Sequence, residues 1–288
     1  MAALGEAKHF VLMFDESLNF DLQKKQLDVH VRLIDGDGLV KTKYLDSFFM
    51  GHAKAVDLIK HLLLITDQVG IHKMIQLSMD GPNVNQKVFK DLSGLVQEQV
   101  NHILLNIGSC GLHTIHNSFK SGAEASGWEI IDVLSSLYYL FKETPARRED
   151  FLTITGNSKL PLKFCGHRWL ENVPAAERAI EIWPHILLYF DAIKKGKVDQ
   201  PSCKSFKTLV AREKDNLLLA KLHCFVFIAK IMRPFLIRFQ SNEPLAPFLF
   251  SNLLSIVKRL YILVMKTLTI LKKVIALMCQ RNFQEMFF

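Results

Sequence analysis

Residues 9–15 read HFVLMFD, a short apolar run that ends on an aspartate, and this stretch decides the fold of the first half of the chain. Apolar runs of this length are typical of strands buried in a sheet. The pattern returns at 74–80, MIQLSMD, so that Asp15 and Asp80 each follow a predicted strand. We expect the two strands to be neighbours in one sheet, which brings the two aspartates together.

The residues between these two strands complete a predicted sheet. Residues 26–34, QLDVHVRLI, alternate between apolar and polar, which is typical of a half-buried strand. Residues 35–38, DGDG, predict a tight hairpin turn into a partner strand over 39–49. Further along the chain, the spacing of apolar residues predicts helices over 53–69 and 83–100, a fifth strand over 102–107, and a third helix after Cys110.

The resulting order, β-β-β-α-β-α-β-α, predicts an α/β fold with ribonuclease-H-like topology. In that topology an antiparallel meander is followed by parallel strands, which are joined by right-handed crossovers. Beyond Gly127 the periodicity is helical almost throughout. We therefore predict a ribonuclease-H-like domain over 1–126, an all-α region over 127–247 that resembles a helical insertion, and a basic amphipathic C-terminal helix over 248–288.

Charge and composition narrow the classes of partner and compartment. The formal net charge of +8 at pH 7 favours nucleic acid or an anionic membrane surface as a partner, although ordinary globular proteins can also be basic. The five cysteines are scattered without a CxxC pair, which is typical of the nucleus or cytoplasm. We find neither a basic segment before the first apolar patch nor 18 uninterrupted apolar residues, so we predict no secretory signal and no transmembrane segment.

Asp15 and Asp80 are the candidate catalytic pair. Carboxylates at neighbouring strand ends can share hard divalent cations such as Mg²⁺ or Mn²⁺. Two such cations can activate a water and stabilise the leaving oxygen during phosphodiester cleavage. The alternative is that the two aspartates only cap turns or helices, where this residue is common.

A second candidate site follows the predicted fifth strand, where Cys110, His113 and His116 are spaced as Cys-x-x-His-x-x-His. Cysteine and histidine are zinc ligands, but a structural zinc site has four ligands and the sequence offers no obvious fourth. The alternative is a structural role, with a buried cysteine and hydrogen-bonded histidines that pack the helix onto the sheet.

A third candidate is the Arg168–Trp169 pair within Cys-Gly-His-Arg-Trp, 165–169. Arginine binds phosphate well and tryptophan stacks on bases, so the pair is a candidate DNA contact. The alternative is a tryptophan buried at the start of a helix, with the arginine paired to a nearby acid.

The tail from Ser251 to Arg281 interleaves basic and apolar residues and contains no acid. Its cations are Lys258, Arg259, Lys266, Lys272, Lys273 and Arg281. A basic amphipathic helix of this kind can lie on a membrane, bind a partner helix, or cover a core while its lysines remain in water.

Four segments together resemble transposase-derived proteins of the hAT superfamily: FDESLN (14–19), QLSMDGPNVN (76–85), LLNIGSCGLHTIHNSF (104–119) and CGHRWLENVPAAERAIEIWP (165–184). The resemblance implies that Asp15 and Asp80 are the first two metal-binding acids. It also implies that Cys110 and His113 form the Cys-x-x-His element of the family, and that Arg168 and Trp169 are its Arg-Trp pair. Members of this superfamily act in the nucleus and cut and join transposon DNA.

The chain departs from that family in ways that bear on activity. No BED-type zinc finger precedes the first strand, and the tail from about residue 255 is unlike the family. The third acid, a glutamate after the helical insertion, has no match, since Glu285 is the only acid after Glu243. We therefore expect a catalytically inactive protein that binds DNA or a protein partner. The alternative is an active nuclease or strand transferase that binds Mg²⁺ or Mn²⁺, with Glu171, Glu177 or another acid of the helical region as the third ligand.

Overall fold

The chain folds into a four-stranded mixed sheet and a series of helices, so the predicted α/β class is confirmed. The computed structural model describes residues 7–108 and 110–285, with side chains through Thr267. The strands are β1 (Phe10–Asn19), β2 (Lys24–Ile34), β3 (Val40–Met50) and β4 (Met74–Ser78). The helices are α1 (Ala55–Val69), α2 (Asn83–Val100), α3 (Gly111–Ala125), α4 (Ile130–Phe141), α5 (Pro145–Thr155), α6 (Val173–Lys194), α7 (Lys204–Glu213), α8 (Leu218–Phe239) and α9 (Leu249–Glu285).

The strands lie in the order β3-β2-β1-β4. The first three form the predicted antiparallel meander, and β4 pairs with β1 in parallel. Side chains alternate across the sheet because successive residues of a strand point to opposite faces. Phe10, Leu12 and Phe14 of β1 are thus buried on one face, whereas Asp15 is exposed on the other.

The predicted fifth strand over 102–107 is wrong, because these residues form no regular strand. The segment still runs beside β4, since the Leu105 amide donates to the Ile75 carbonyl at 2.8 Å and the Cys110 amide donates to the Met79 carbonyl at 2.9 Å. Leu104 is buried, which explains why the apolar alternation resembled that of a strand. Alternation reports which side chains are buried, whereas a strand also requires a continuous ladder of backbone hydrogen bonds.

Two compact units divide the chain. Unit 1 comprises Met1–Ile115 and Arg238–Pro247, and unit 2 comprises His116–Ile237 and Phe248–Phe288. In unit 1, α1 and α2 supply apolar residues to a core shared with the buried face of the sheet. The segment Arg238–Pro247 is joined to this unit by a hydrogen bond from Arg32 to the Ser241 carbonyl, at 3.4 Å.

The core of unit 2 contains a cluster of aromatic side chains from α4, α5 and α6. Phe141 and Phe151 are in contact at 5.1 Å between ring centroids, and both rings also contact Tyr189. Tyr189 is fully buried, and burial raises the pKa of its hydroxyl to about 12. No group in the described part of the chain forms a hydrogen bond with that hydroxyl.

Replacing Tyr189 by phenylalanine is expected to stabilise unit 2 by about 1 kcal/mol, because a buried polar group without a partner costs free energy. The ring contacts remain, so the gain isolates the hydroxyl. Urea unfolding should show a higher midpoint at an unchanged slope. A loss of stability in this variant would mean that the hydroxyl has a partner, such as a buried water.

The C-terminal helix is the one element within the described residues that is long and apolar enough to span a membrane. The qualifying stretch is Ala246–Thr267, which has 22 residues and a mean hydropathy of 1.6, and nearly all of its side chains lie outside the core. The stretch meets this criterion by its length and composition alone. Lys258 and Arg259 interrupt the stretch near its centre.

Candidate functional site

The parallel pairing of β1 with β4 ends two residues before each of the two predicted catalytic aspartates. The last paired residues of β1 and β4 are Met13 and Ser78, and Asp15 and Asp80 each follow two residues later. Neighbouring strands lie about 4.8 Å apart, and residues two apart share a face. The backbone register therefore favours a close pair, with Asp15 on the sheet face that carries Met13. Asp15 lies within β1, however, and not after its end as predicted.

A third carboxylate, which sequence reasoning missed, lies on the same face. Asp28 of β2 is the antiparallel partner of Asp15. Burial raises the pKa of the Asp28 carboxyl, but hydrogen bonds from Gln26 and Ser47 outweigh this effect, and His30 adds to them, so that the pKa lies below the usual aspartate value. Asp28 is thus held as an anion by neighbouring strand residues. Like charges directly opposite one another on a sheet repel.

Each of the predicted pair has a hydrogen-bond donor of its own. The Asp15 carboxylate accepts from the amide of Glu16 at 3.0 Å, and the Asp80 carboxylate accepts from the side chain of Asn85. Asn85 lies in the first turn of α2 and is 5% exposed, so the helix fixes the position of Asp80. This contact agrees with the turn-capping alternative and also leaves room for the metal-binding one.

A pair of divalent cations at this face would draw its carboxylate ligands from Asp15, Asp80 and Asp28. Mg²⁺ requires near-octahedral oxygen coordination, and two cations side by side require several carboxylates. Asp28 is already bonded by two side chains. Among the residues that the structure describes, no group of three or more His, Cys, Asp or Glu side chains is arranged to hold a metal ion.

The three side chains of the Cys-x-x-His-x-x-His element differ in how far they are buried. Cys110 precedes α3 and is half-buried, His113 is exposed, and His116 is 6% exposed. The His116 ring accepts a hydrogen bond from the amide of Leu170 at 3.3 Å. This bond joins α3 to the loop over 165–172, which ends in a short 3-10 helix at Trp169–Asn172. His116 therefore takes part in the packing of unit 2.

The Arg168–Trp169 pair is arranged as in the structural alternative. Trp169 is 2% exposed, its indole N–H donates to the Gly166 carbonyl at 2.8 Å, and its ring meets Phe164 edge to face. A ring in this position cannot stack on a base, which corrects the expectation of a DNA contact by Trp169. The Arg168 side chain is 60% exposed and lies 3.6 Å from the Glu171 carboxylate, so the arginine alone remains available to a phosphate.

Asn172 holds the loop that displays Arg168. Its side-chain oxygen accepts from the Cys165 amide at 2.6 Å. Its amide group donates to the carbonyls of Cys165, Arg168 and Trp169, at 2.9, 3.3 and 3.1 Å. Asn172 is 2% exposed, so these bonds are shielded from water. Sequence reasoning missed this residue, although an asparagine a few residues after a Gly-containing turn is a common source of loop-closing hydrogen bonds.

The two acids considered as a third metal ligand are both paired with cations of unit 2. Glu171 lies 3.6 Å from Arg168, and Glu177 lies 2.5 Å from the ammonium of Lys230. Each side chain is partly exposed, so the pairs contribute little stability. Both carboxylates therefore form surface ion pairs within unit 2.

No family model matches the chain, and no curated protein matches it. The function is therefore inferred from the chain's own residues.

Proposed function

We propose that the chain is a ribonuclease-H-like protein derived from a hAT transposase, which binds DNA in the nucleus without cutting it. The observation that carries the proposal is the parallel pairing of β1 with β4, which ends at Met13 and Ser78, two residues before Asp15 and Asp80. An antiparallel meander joined to a parallel strand is how that fold begins, and its fifth strand would lie beside β4, where the Leu105 amide bonds to the Ile75 carbonyl.

Arg168 supports DNA as the partner. It projects from a loop that Asn172 and Trp169 hold in place, and Lys163 and His167 of the same loop are also exposed. Its ion pair with Glu171 is open to solvent, so a phosphate can replace the carboxylate at little cost. The net charge of +8 adds a general attraction to the phosphate backbone.

The carboxylates support the absence of cleavage. Two-metal phosphodiester chemistry needs cations on both sides of the scissile phosphate. Asp15 and Asp80 supply two ligands, whereas Asp28 is engaged by Ser47 and Gln26. Because the described residues bring no group of three or more potential metal ligands together, they favour a protein that keeps the scaffold and has lost the reaction.

Binding to a short DNA duplex across a salt series tests the proposal. We expect affinity to fall steeply as salt rises, because counterions are released from the phosphates. Arg168→Ala should weaken binding about threefold to tenfold and lower the salt slope by about one phosphate contact. Arg233→Ala, which removes an exposed arginine from α8, is the matched control and should change neither.

Two results would contradict this proposal. Affinity that does not depend on salt would exclude phosphate-driven DNA binding and leave a protein partner as the alternative. Nicking of duplex DNA in Mn²⁺ by the wild type, lost in Asp80→Ala, would establish the nuclease or strand transferase instead.

A further inference from the structure

The described part of α9 exposes an unusual row of large apolar side chains. Phe250, Val257, Tyr261 and Val264 are 76%, 60%, 63% and 58% exposed. They follow one another at intervals of seven, four and three residues, so they lie along one side of the helix. Ile256, on a neighbouring side, is 9% exposed and marks the side by which the helix packs within unit 2. We call these four residues the apolar row.

Ile262, which is 49% exposed, extends this apolar surface toward Arg259 and Lys266, which lie three residues before it and four residues after it. Lys258, Arg259 and Lys266 are all exposed. From residue 244 to residue 284 the sequence contains no aspartate or glutamate. The described part of the helix therefore carries only positive charge beside an uncovered apolar surface.

We propose that α9 lies along an anionic lipid surface. The apolar row and Ile262 would enter the boundary between headgroups and acyl chains, and Lys258 together with the long side chains of Arg259 and Lys266 would reach the anionic headgroups beside them. Basic amphipathic helices with this division of residues bind in the plane of such surfaces. The proposal concerns a face of unit 2 that DNA binding through Arg168 does not use.

Charge and position together select this occupant over the others. Lys258 and Arg259 stand near the middle of the stretch that is long enough to span a membrane, where charged side chains are costly, so the helix lies on the surface instead of crossing it. A second copy would bring two wholly positive helices together. Duplex DNA would engage the cations but leave the apolar row in water.

Co-sedimentation of the full-length protein with vesicles tests the proposal. We expect it to pellet with phosphatidylcholine vesicles that contain about 30% phosphatidylserine, to remain soluble with pure phosphatidylcholine, and to bind less as salt rises. Lys258→Gln with Arg259→Gln should weaken binding about tenfold or more. Lys207→Gln with Lys214→Gln removes the same charge from exposed positions elsewhere in unit 2 and should have little effect.

A second variant tests the apolar row itself. Phe250→Ser, Val257→Ser and Tyr261→Ser together should abolish the vesicle binding, and circular dichroism should show that the fold is kept because these side chains are exposed. If this variant does not fold, the charge variant still decides the question.

Three results would overturn the proposal. The first is equal binding to neutral and anionic vesicles, or none to either. The second is a dimer in analytical ultracentrifugation that forms without lipid and is lost in the triple serine variant, which would identify a second copy as the occupant. The third is a loss of DNA affinity in the Lys258–Arg259 variant without any vesicle binding, which would assign these cations to DNA.

Discussion

Replacing Asn172 by alanine is expected to destabilise unit 2 by about 3 kcal/mol, because it removes four hydrogen bonds from a water-excluded position. The amide and carbonyl of Cys165 and the carbonyls of Arg168 and Trp169 each lose a hydrogen bond at once, and a buried polar group with too few partners is costly. The loop should then leave its present path, and the Trp169 indole should become exposed.

Chemical denaturation, followed by tryptophan fluorescence, measures this effect. The Asn172→Ala variant should unfold at a lower denaturant concentration, and its native emission should shift to the red as Trp169 meets water. Asn216→Ala is the matched control, since Asn216 is exposed in the turn before α8. An Asn172→Ala variant as stable as the wild type, with unchanged emission, would show that the loop does not depend on this side chain.

The same substitution connects the loop to the proposed function. Arg168 can present its guanidinium to a phosphate only while the loop holds its shape, since Asn172 accepts or donates bonds at both ends of that loop. DNA affinity should therefore fall in Asn172→Ala at least as far as in Arg168→Ala. Glu171→Gln should instead strengthen binding, because it releases Arg168 from its ion pair without disturbing the loop.

Local patterns predicted the sheet well because they record burial directly. The alternation of β2 and the apolar runs of β1 and β4 report which face of each strand is covered, so strand positions and their neighbours could be inferred. The segment over 102–107 carried the same apolar alternation, but its pairing with β4 depends on backbone geometry, which side-chain types do not determine. The sequence therefore predicted its place and overstated its regularity.

The candidate sites were harder to predict because their residue types serve two purposes. Trp169 could stack on a base or fill a core, and only the contacts with Gly166 and Phe164 decide for the core. Asp28 and Asn172 belong to no recognisable motif. The role of Asp28 arises from the register between strands, and the role of Asn172 arises from the closure of its loop. The sequence pointed to Arg168 and Trp169, which follow Gly166, but it did not point to Asn172, whose side chain holds their loop in place.

Replacing Leu12 by alanine is expected to cost about 3 kcal/mol, while Met13→Ala should cost about 1 kcal/mol. Leu12 is fully buried in β1, opposite Val31 of β2 and Leu77 of β4, which are also buried. Met13, the next residue, lies on the other face and is only half-buried. The two substitutions remove side chains of similar size from adjacent positions, so their difference measures the face on which the core lies.

This difference bears on the aspartates because a sheet has a period of two residues. A slip of one residue in β1 would exchange the faces, bury Met13 in the core and turn Asp15 inward. Urea unfolding of the two variants in parallel decides between the registers through the order of their midpoints. A larger loss in Met13→Ala than in Leu12→Ala would contradict the present register. In that register Asp15 would also point away from Asp80. The observation on which the proposed origin of the chain rests would then no longer hold.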